Sequence, residues 1–352
     1  MITIFTPSFA DGVDSNAQNH TTREIVARLD PSRFAVTMLC DAAPDVRIAR
    51  RPNTRLLQWG RRGNTVRTAW HLLRNPPDIY FFPREGPLDM AFLTMRRGLR
   101  LKTALVSYVV SGGLATTPYP PARERHIREA NLVIANNSYL GQLLKEKMGV
   151  EVGGTIYDAV DRGCFFPPPD GRAARDSVAV LFAGSLRPYK RAPIVVRQAA
   201  RWPQVQFRIA GVGEEEQLCR KLASDLGCTN VEFLGHLTHD QLGKEMRRAD
   251  IFLFPSVVEG HPQVLVQAAA SGLPVIAMKL YQPDYVVDGA TGFLAGTEDE
   301  LAEKLDRLIS DPDLRQRFSA AAVEHAQKFD WDGIARAWQD VFETAVAQRR
   351  RG

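Results

Sequence analysis

Short runs of apolar and β-branched residues alternate along the chain with segments whose apolar positions recur at helical spacing. The short runs predict strands at Ile2–Pro7, Phe34–Leu39, Thr54–Gln58, Asp78–Phe82, Thr103–Val110, Leu132–Ala135, Gly154–Ile156, Val178–Phe182, Val205–Ala210, Val231–Leu234, Ile251–Phe254 and Pro274–Ala277. The helical segments include Ala17–Leu29, Thr65–Leu73, Ser138–Met148, Ala192–Arg201, Gly213–Leu226, Asp240–Arg248 and Pro262–Ser271. Because the strands are apolar throughout and alternate with helices, the pattern predicts an α/β protein with parallel sheets covered on both faces.

The strands fall into two series, which predict two Rossmann-like domains. The length of 352 residues gives each domain enough chain for a core of its own. A proline-rich segment, Phe166–Gly171, separates the two series and has the composition of a stiff linker that ends in a turn. We therefore predict one domain over residues 1–168 and a second over residues 169–331.

Composition argues for a soluble globular protein, since 45% of the residues are hydrophobic and 24% are charged. The longest apolar run, Ala104–Val110, has the length of a strand and is far shorter than the roughly 18–20 residues of a membrane span. The N-terminal sequence lacks the basic start of a signal peptide, so a cytoplasmic protein is expected. The cysteines form no Cys-x-x-Cys pair and have no clustered histidines, which predicts reduced thiols and no metal site; they are Cys40, Cys164, Cys219 and Cys228.

Positive charge is concentrated in the first half of the chain. Between Arg47 and Lys102 the sequence has 13 basic and 3 acidic residues. Such a stretch favours an anionic partner, either membrane lipid, a phosphorylated acceptor or a nucleic acid, although a solvated arginine-rich surface explains it equally well. No nucleic-acid-binding motif accompanies the arginines, so we do not expect nucleic acid as a partner.

Residues 255–275 carry the strongest functional signal. The apolar run Ile251–Phe254 ends at Pro255, a polar loop with Glu259 and Gly260 follows, and an apolar helix comes next. A helix that begins after a strand and a loop offers unpaired backbone N–H groups, which favour an anion. The stretch therefore predicts an anion-binding site.

This stretch resembles the Glu-Gly-Phe-Pro-Asn-Val-Leu-Leu-Glu-Ala motif of the retaining GT-B nucleotide-sugar glycosyltransferases (family 4-like, group 1), which include sucrose, glycogen and mannosyl transferases. His261 stands where the family has Phe, and Gln267 stands where it has a second Glu. The segment Phe182–Arg191 resembles the family's Gly-Arg-Leu-x-x-x-Lys-Gly loop, with Lys190 at the position of the Lys and Ser185 in place of the Arg.

The resemblance implies a GT-B fold, in which two Rossmann-like domains have parallel sheets facing across a cleft. It also implies that a C-terminal helix, here residues 332–348, packs back on the first domain. Trp338 and Phe342 recur in that segment at helical spacing. The first domain would hold the acceptor, and the second would hold the nucleotide sugar.

The resemblance also implies roles for individual residues. Lys190 and Glu259 are the expected catalytic pair: Lys190, with Arg187, would neutralise the donor diphosphate, and Glu259 would contact the hydroxyls of the donor sugar. Gln267 would hold the ribose as a neutral substitute for Glu. The remaining candidates are expected to approach the donor through a glycine loop, a base-binding segment or a helix start; they are Gly12, Gly184, Ser185, His236, Leu237, His261, Gln263, Val264 and Leu265.

The first domain departs further from the family. The double Gly expected in Phe9–Asn16 is reduced to Gly12, and the family His is missing from Ser107–Gly113, where Tyr108 or Ser111 would have to replace it.

Together these features predict a retaining, metal-independent glycosyltransferase without a cofactor, whose partners are a nucleotide sugar and a glycan, lipid-linked or small-molecule acceptor. A weak peripheral contact with the inner face of the membrane is expected from the basic stretch. The alternative is a catalytically weak GT-B binding subunit that has lost residues of the site. The sequence leaves the nucleotide base, the sugar, the acceptor and the linkage open.

Overall fold

A computed structural model describes residues 1–12, 17–60, 64–83, 85–110, 114, 117–172 and 177–351 of the chain. Ser111 and most of the loop that follows Gly12 lie outside these residues. The chain divides into two compact units, residues 1–158 together with 331–352, and residues 159–330. No helix in the described part of the chain is both long enough and apolar enough to cross a membrane.

The first unit contains a seven-stranded parallel sheet. Its strands are β1 Ile2–Phe9, β2 Phe34–Cys40, β3 Thr54–Gln58, β4 Ile79–Phe81, β5 Ala104–Val109, β6 Leu132–Ala135 and β7 Gly154–Thr155. Its helices are α1 Ala17–Arg28, α2 Val46–Arg50, α3 Asn64–Arg74, α4 Pro87–Gly98, α5 Pro121–Arg128, α6 Ser138–Met148 and α13 Trp331–Arg351. The strand order is β3-β2-β1-β4-β5-β6-β7, so the chain changes its winding direction between β1 and β4.

The second unit contains a six-stranded parallel sheet in the order β10-β9-β8-β11-β12-β13. Its strands are β8 Ala179–Ala183, β9 Gln206–Ala210, β10 Val231–Gly235, β11 Ile251–Phe254, β12 Val275–Met278 and β13 Gly292–Ala295. Its helices are α7 Ala192–Arg201, α8 Glu216–Asp225, α9 His239–Arg248, α10 Gln263–Ala270, α11 Glu298–Ser310 and α12 Pro312–Ala326. The predicted class, two Rossmann-like units with parallel sheets, is confirmed.

Each of the twelve predicted strands is present, and the pattern missed only β13 among the described strands. That strand is four residues long, begins at Gly292 and follows a turn-like Asp-Gly-Ala-Thr sequence. A Cβ added at Gly292 would lie 2.1 Å from the carbonyl oxygen of Val275. Tight packing against β12 therefore requires glycine at a position where glycine in the sequence suggests a turn.

Aromatic side chains fill the core of the first unit. The rings of Tyr80 and Phe92 stack with their centroids 4.3 Å apart, and the Tyr80 hydroxyl donates to Asp89 over 2.8 Å. The helix α13 buries Trp338 and Phe342 completely, with their rings 4.8 and 5.0 Å from that of Phe81 in β4. Burying a side chain of this size contributes about 1.5–3 kcal/mol, so α13 is an integral part of this unit.

The carboxyl ends of β8 and β9 approach each other closely. Gly211 has φ +139°, and a Cβ added there would lie 1.9 Å from the carbonyl oxygen of Gly184. Its N–H donates to the Gly235 carbonyl over 2.7 Å, while the Gly184 N–H donates to the Ala210 carbonyl over 3.0 Å. These contacts hold three loops at one edge of the sheet, and they leave no room for a side chain at Gly211.

We predict that Gly211→Ala lowers the free energy of unfolding by about 3 kcal/mol or more, because backbone must move and φ is unfavourable for any L-residue. The control is Gly227→Ala, since Gly227 also has a positive φ of +65° but has open space around it. That variant should lose only about 1–2 kcal/mol. Urea denaturation of both variants provides the comparison, and equal losses would contradict the close approach.

A buried carboxyl group lies at the end of the first unit. Asp158 is 6% exposed and accepts hydrogen bonds from Thr21 over 3.2 Å and from Tyr108 over 3.3 Å. Burial raises the pKa of Asp158 to about 6, although hydrogen bonds from Thr21, Asn136 and Tyr108 act in the opposite direction. The folded chain therefore keeps a proton on Asp158 at pH values where the unfolded chain has lost it.

This carboxyl group should make the protein less stable as pH rises. Between pH 4 and 6 the folded state binds the extra proton, so the free energy of unfolding falls through this window and levels off above it. Asp158→Asn should remove about 3 kcal/mol of that fall, as expected for a shift of about two pKa units. Urea denaturation of the variant and the wild type at pH 4 and pH 8 tests this, and parallel pH profiles would contradict it.

Candidate active site

Two loops at the carboxyl edge of the second sheet are joined by a largely buried ion pair. The Lys190 ammonium lies 2.6 Å from the Glu259 carboxylate, and the two side chains are only 13% and 11% exposed. Lys190 follows β8 on a short 3₁₀ turn, Pro188–Lys190, whereas Glu259 lies in the loop after β11. The pair thus brings together two residues that are 69 positions apart in sequence.

Further contacts orient this pair. The Ser256 hydroxyl is within hydrogen-bonding distance of the Glu259 carboxylate and of the Tyr189 carbonyl oxygen. The Val257 N–H donates to the same carbonyl over 3.0 Å, which ties the two loops together through their backbones. The Lys190 ammonium also lies 5.0 Å from the centroid of the Phe254 ring, within the range of a cation–π interaction. Both charged groups are therefore held in place before any ligand arrives.

The helix α10 begins beside this pair without a side-chain cap. Its N-cap is Pro262, and within the described residues the N–H groups of Gln263 and Val264 have no hydrogen-bond acceptor. The N–H of Leu265 is already used, since it donates to the Pro262 carbonyl over 3.0 Å, and its side chain is fully buried. Two open amides at a helix start attract an anion. Of the predicted amide donors in this helix, Gln263 and Val264 are available and Leu265 is not.

His261 packs as an aromatic residue. Its ring stacks on that of Tyr285 with the centroids 3.6 Å apart, and it is only 6% exposed. Burial lowers its pKa well below the usual range, so the imidazole is neutral at physiological pH. A flat, neutral ring explains why His can stand where the family motif has Phe.

Four of the predicted donor residues line one cavity of about 250 Å³ at the ends of β8, β9 and β10. These residues are Gly184, Ser185, His236 and Leu237. Gly184 and Gly211 leave backbone exposed on one side of the cavity, where no side chain stands between the chain and a ligand. His236 is exposed and Leu237 is half-buried, so both can contact a ligand without a change in the core.

The remaining predicted residues lie on α10, just before the turn that carries Lys190, and in the first unit. Gln267 is 7% exposed on α10, where a buried amide can hydrogen-bond a hydroxyl without carrying a charge. Arg187 is exposed just before the turn that carries Lys190. Gly12 belongs to the first unit, where its N–H donates to the Ala43 carbonyl over 2.8 Å. Among the described residues no cluster of three or more His, Cys, Asp or Glu side chains is arranged to hold a metal ion.

Two further residues lie near the Lys190–Glu259 pair, and the sequence analysis did not identify either of them. Ser256 is fully buried against Glu259, as described above. Tyr281 is 3% exposed, and its hydroxyl has no hydrogen-bond partner among the described residues. Burial, together with the nearby charge of Glu259, raises the pKa of Tyr281 well above the usual range. No sequence signal identifies either residue, because both depend on which loops meet at this edge.

Comparison with known proteins shows what the second unit and the whole fold are similar to. Residues 169–325 match the family model of glycosyl transferases group 1. The D-inositol 3-phosphate glycosyltransferase of Streptomyces scabiei is 32% identical over 272 residues, which are 67% of this chain and 59% of that protein. The chain therefore spans less than two thirds of the length of this relative.

Solved structures share the fold at low sequence identity. Sucrose-phosphate synthase from Thermosynechococcus elongatus matches with a TM-score of 0.81 at 19% identity, covering 99% of this chain and 100% of that one. Anabaena HepE in complex with UDP and glucose matches with a TM-score of 0.74 at 19% identity, covering 98% and 100%. The second unit, which contains the matched residues 169–325, therefore resembles the group 1 glycosyl transferases, and the chain has the fold of these solved structures, two Rossmann-like units with parallel sheets.

Proposed function

We propose that this chain is a retaining, metal-independent glycosyltransferase that moves a sugar from a nucleoside-diphosphate donor to a glycan, lipid-linked or small-molecule acceptor. The observation that carries the proposal is the Lys190–Glu259 pair, which lies at the same edge of the sheet as the open amides of α10 and the glycine-lined cavity. This edge of the sheet offers a cation and N–H groups to a diphosphate and a carboxylate to sugar hydroxyls. Retention of configuration and independence of metal follow from the family resemblance.

In the proposed reaction, the bond between the anomeric carbon and the diphosphate oxygen breaks. The acceptor hydroxyl oxygen forms the new bond on the same face of the sugar, and its proton passes to the departing diphosphate. Lys190, Arg187 and the amides of Gln263 and Val264 stabilise the negative charge that develops on the leaving group. Glu259 accepts hydrogen bonds from the sugar, and Gln267 holds the ribose.

Donor binding must change the environment of the ion pair. In the free chain the charge of Lys190 is balanced by Glu259 at 2.6 Å. A bound diphosphate would also contact the Lys190 ammonium. The Glu259 carboxylate would then accept hydrogen bonds from the sugar hydroxyls as well as from Lys190. The pair thus keeps both groups charged and ordered until the ligand replaces part of their interaction.

The second candidate function is a binding subunit with little catalysis. It is favoured by the departures from the family motif at Ser185 and Gln267, which remove one guanidinium and one carboxylate. A binding subunit would bind a nucleotide but would neither transfer the sugar nor hydrolyse the donor. Hydrolysis of a nucleotide sugar without acceptor therefore separates the two functions.

A thermal-shift panel of UDP, GDP, ADP, TDP and CMP tests the donor class, because a ligand that binds the folded state raises the melting temperature. UDP is the first choice, since the HepE complex contains it. At least one nucleoside diphosphate should stabilise the chain more than CMP does. A panel without any shift would contradict the proposal.

Substitution of Lys190 tests its role in the reaction. Lys190→Ala should lower turnover by about 10²–10³, because the leaving group loses a fixed positive charge. It should also lower the free energy of unfolding by about 2–4 kcal/mol, since Glu259 is left as a largely buried, unpaired carboxylate.

A double variant separates these two effects. Lys190→Ala combined with Glu259→Gln removes the unpaired charge, so stability should recover in part while turnover stays low. Steady-state kinetics and urea denaturation of the three proteins provide the measurements. Near-normal turnover in folded Lys190→Ala would exclude Lys190 from the chemistry.

We further propose that the protein works in the cytoplasm and touches the anionic inner face of the membrane through α3. Two arginines of the basic stretch are not free for this purpose: Arg47 pairs with Glu24 and Asp45, and Arg51 is buried against backbone carbonyls. On α3, however, Val66 is 74% exposed and Trp70 is 55% exposed. The Arg74 guanidinium lies over the Trp70 ring at 4.7 Å, a combination of aromatic and cationic groups that suits an anionic bilayer surface.

Sedimentation with liposomes tests this contact. Anionic liposomes should retain more protein than neutral ones, and the difference should fade above physiological salt as the Debye length shrinks. Trp70→Ala should lower the binding to anionic liposomes by about three- to tenfold, which corresponds to roughly 1 kcal/mol. Leu218→Ala, at an exposed apolar position of the second unit, is the matched control. Equal binding to both kinds of liposome, or an equal effect of the two substitutions, would contradict the proposal.

A further inference from the structure

The loop after β12 brings a tyrosine to the edge of the sheet that carries the Lys190–Glu259 pair. Tyr281 ends the 3₁₀ turn Lys279–Tyr281, which directly follows β12. In the sheet order β8-β11-β12, the strand before Glu259 lies between the strand before Lys190 and the strand before Tyr281. The loop of Glu259 is therefore flanked by a loop with a cation on one side and by a loop with a phenol on the other.

Tyr281 is the buried residue of its turn. Its side chain is 3% exposed, whereas Leu280 is 51% exposed and Lys279 is exposed as well. The next residue, Gln282, has φ +43°, a left-handed conformation that is unfavourable for residues other than glycine. Backbone strain of this kind is concentrated at functional sites. The chain thus adopts an unfavourable backbone conformation directly after a buried phenol.

The hydroxyl of Tyr281 has no role in the packing of the free chain. It has no hydrogen-bond partner among the described residues, although buried polar groups in proteins nearly always have one. Burial and the charge of Glu259 raise the pKa of Tyr281 well above its usual range, so the hydroxyl keeps its proton and is a donor at physiological pH. A phenylalanine would fill the same space without an unsatisfied group.

Glu259 has one carboxylate oxygen available for such a donor. The Lys190 ammonium and the Ser256 hydroxyl both contact Oε1, and within the described part of the chain no hydrogen bond reaches Oε2. A hydrogen bond from a phenol to a carboxylate is charge-assisted and roughly twice as strong as one between neutral groups. An unsatisfied donor and an unused acceptor oxygen are therefore present at the same edge of the sheet.

We propose that Tyr281 is a positioning residue for Glu259, whose Oε2 accepts a hydrogen bond from the Tyr281 hydroxyl when the charge of Lys190 is shared with a diphosphate. A buried carboxylate that loses part of its cation needs another partner, and the phenol supplies it without adding a charge. The inference rests on the proposed function, since it assumes that a diphosphate reaches Lys190. Removal of the Lys190 charge by substitution creates the same need without any ligand.

Thermal denaturation of the full chain without ligand tests the hydrogen bond. Tyr281→Phe alone should leave the melting temperature unchanged or raise it, because the hydroxyl has no partner in the free chain. In the Lys190→Ala background, Glu259 has lost its cation, so the same substitution should lower the melting temperature by about 2–4 °C, as expected for one hydrogen bond. With Glu259→Gln added to Lys190→Ala, the loss should be smaller, because the acceptor is then neutral.

Tyr80→Phe is the matched control. Tyr80 is also buried, but its hydroxyl donates to Asp89 over 2.8 Å in the first unit. Tyr80→Phe should therefore lower the melting temperature in the wild-type background and by the same amount in the Lys190→Ala background. A tyrosine with a merely structural role behaves in this way, whereas Tyr281 should show an effect that depends on Lys190.

Calorimetric titration with UDP, or with the best nucleotide of the panel, tests the role in donor binding. Tyr281→Phe should weaken binding about five- to tenfold, since the complex loses a charge-assisted hydrogen bond. In the Glu259→Gln background the same substitution should weaken binding by at most about threefold. Tyr80→Phe should bind the nucleotide as the wild type does.

Two outcomes would overturn the inference. One is that Tyr281→Phe has the same effect on the melting temperature with and without Lys190→Ala. The other is that Tyr281→Phe binds the nucleotide as tightly as the wild type, and the proposed function then stands. If the wild type binds no nucleotide, the proposed function fails, and the melting temperatures in the two backgrounds still decide whether Tyr281 donates to Glu259.

Discussion

The ion pair of Lys190 and Glu259 is the interaction on which the proposed donor site depends. Two opposite charges at 2.6 Å, each about nine-tenths buried, are stable only because each compensates the other and Ser256 adds a hydrogen bond. The pair joins the loop after β8 to the loop after β11, and it lies where α10 begins. The proposed diphosphate site therefore keeps its cation in place without exposing an unbalanced charge.

Close backbone packing complements this pair. At Gly211 the carbonyl of Gly184 lies where a Cβ would be, so the loops after β8 and β9 approach as nearly as the backbone permits. The resulting cavity has glycine backbone on one side and the side chains of His236 and Leu237 on another. In the proposed donor site, the ion pair would hold the diphosphate and the glycine backbone would allow close approach.

Much of the fold could be predicted from the sequence, because parallel strands buried on both faces leave continuous apolar runs. The predicted strand Ile251–Phe254 matches β11 at both ends for this reason. The strand β13 was not predicted. Its Gly292 is required by close packing against Val275, and the local sequence does not reveal this packing. Secondary structure was thus predictable where burial alone determines the residue type.

The candidate site was predictable to a smaller extent. The motif resemblance selected Lys190 and Glu259, which the structure places in contact, although their roles in catalysis stay predictions. It also selected His261 and Leu265, whose side chains the structure buries in the core. Whether a histidine packs or binds depends on burial, and a single sequence does not determine burial. For the same reason no sequence signal points to Tyr281, whose unsatisfied hydroxyl becomes visible only in three dimensions.

The central claim is that a nucleoside diphosphate binds at the carboxyl edge of the second sheet, around Lys190 and Glu259. Amide hydrogen exchange of the full chain, with and without saturating UDP or the best nucleotide of the panel, tests it most directly. Binding at this edge should slow exchange in residues 183–190, 211–213 and 259–264, with little change along α12 (Pro312–Ala326). Protection confined to other parts of the chain, with unchanged exchange around Lys190 and Glu259, would contradict it.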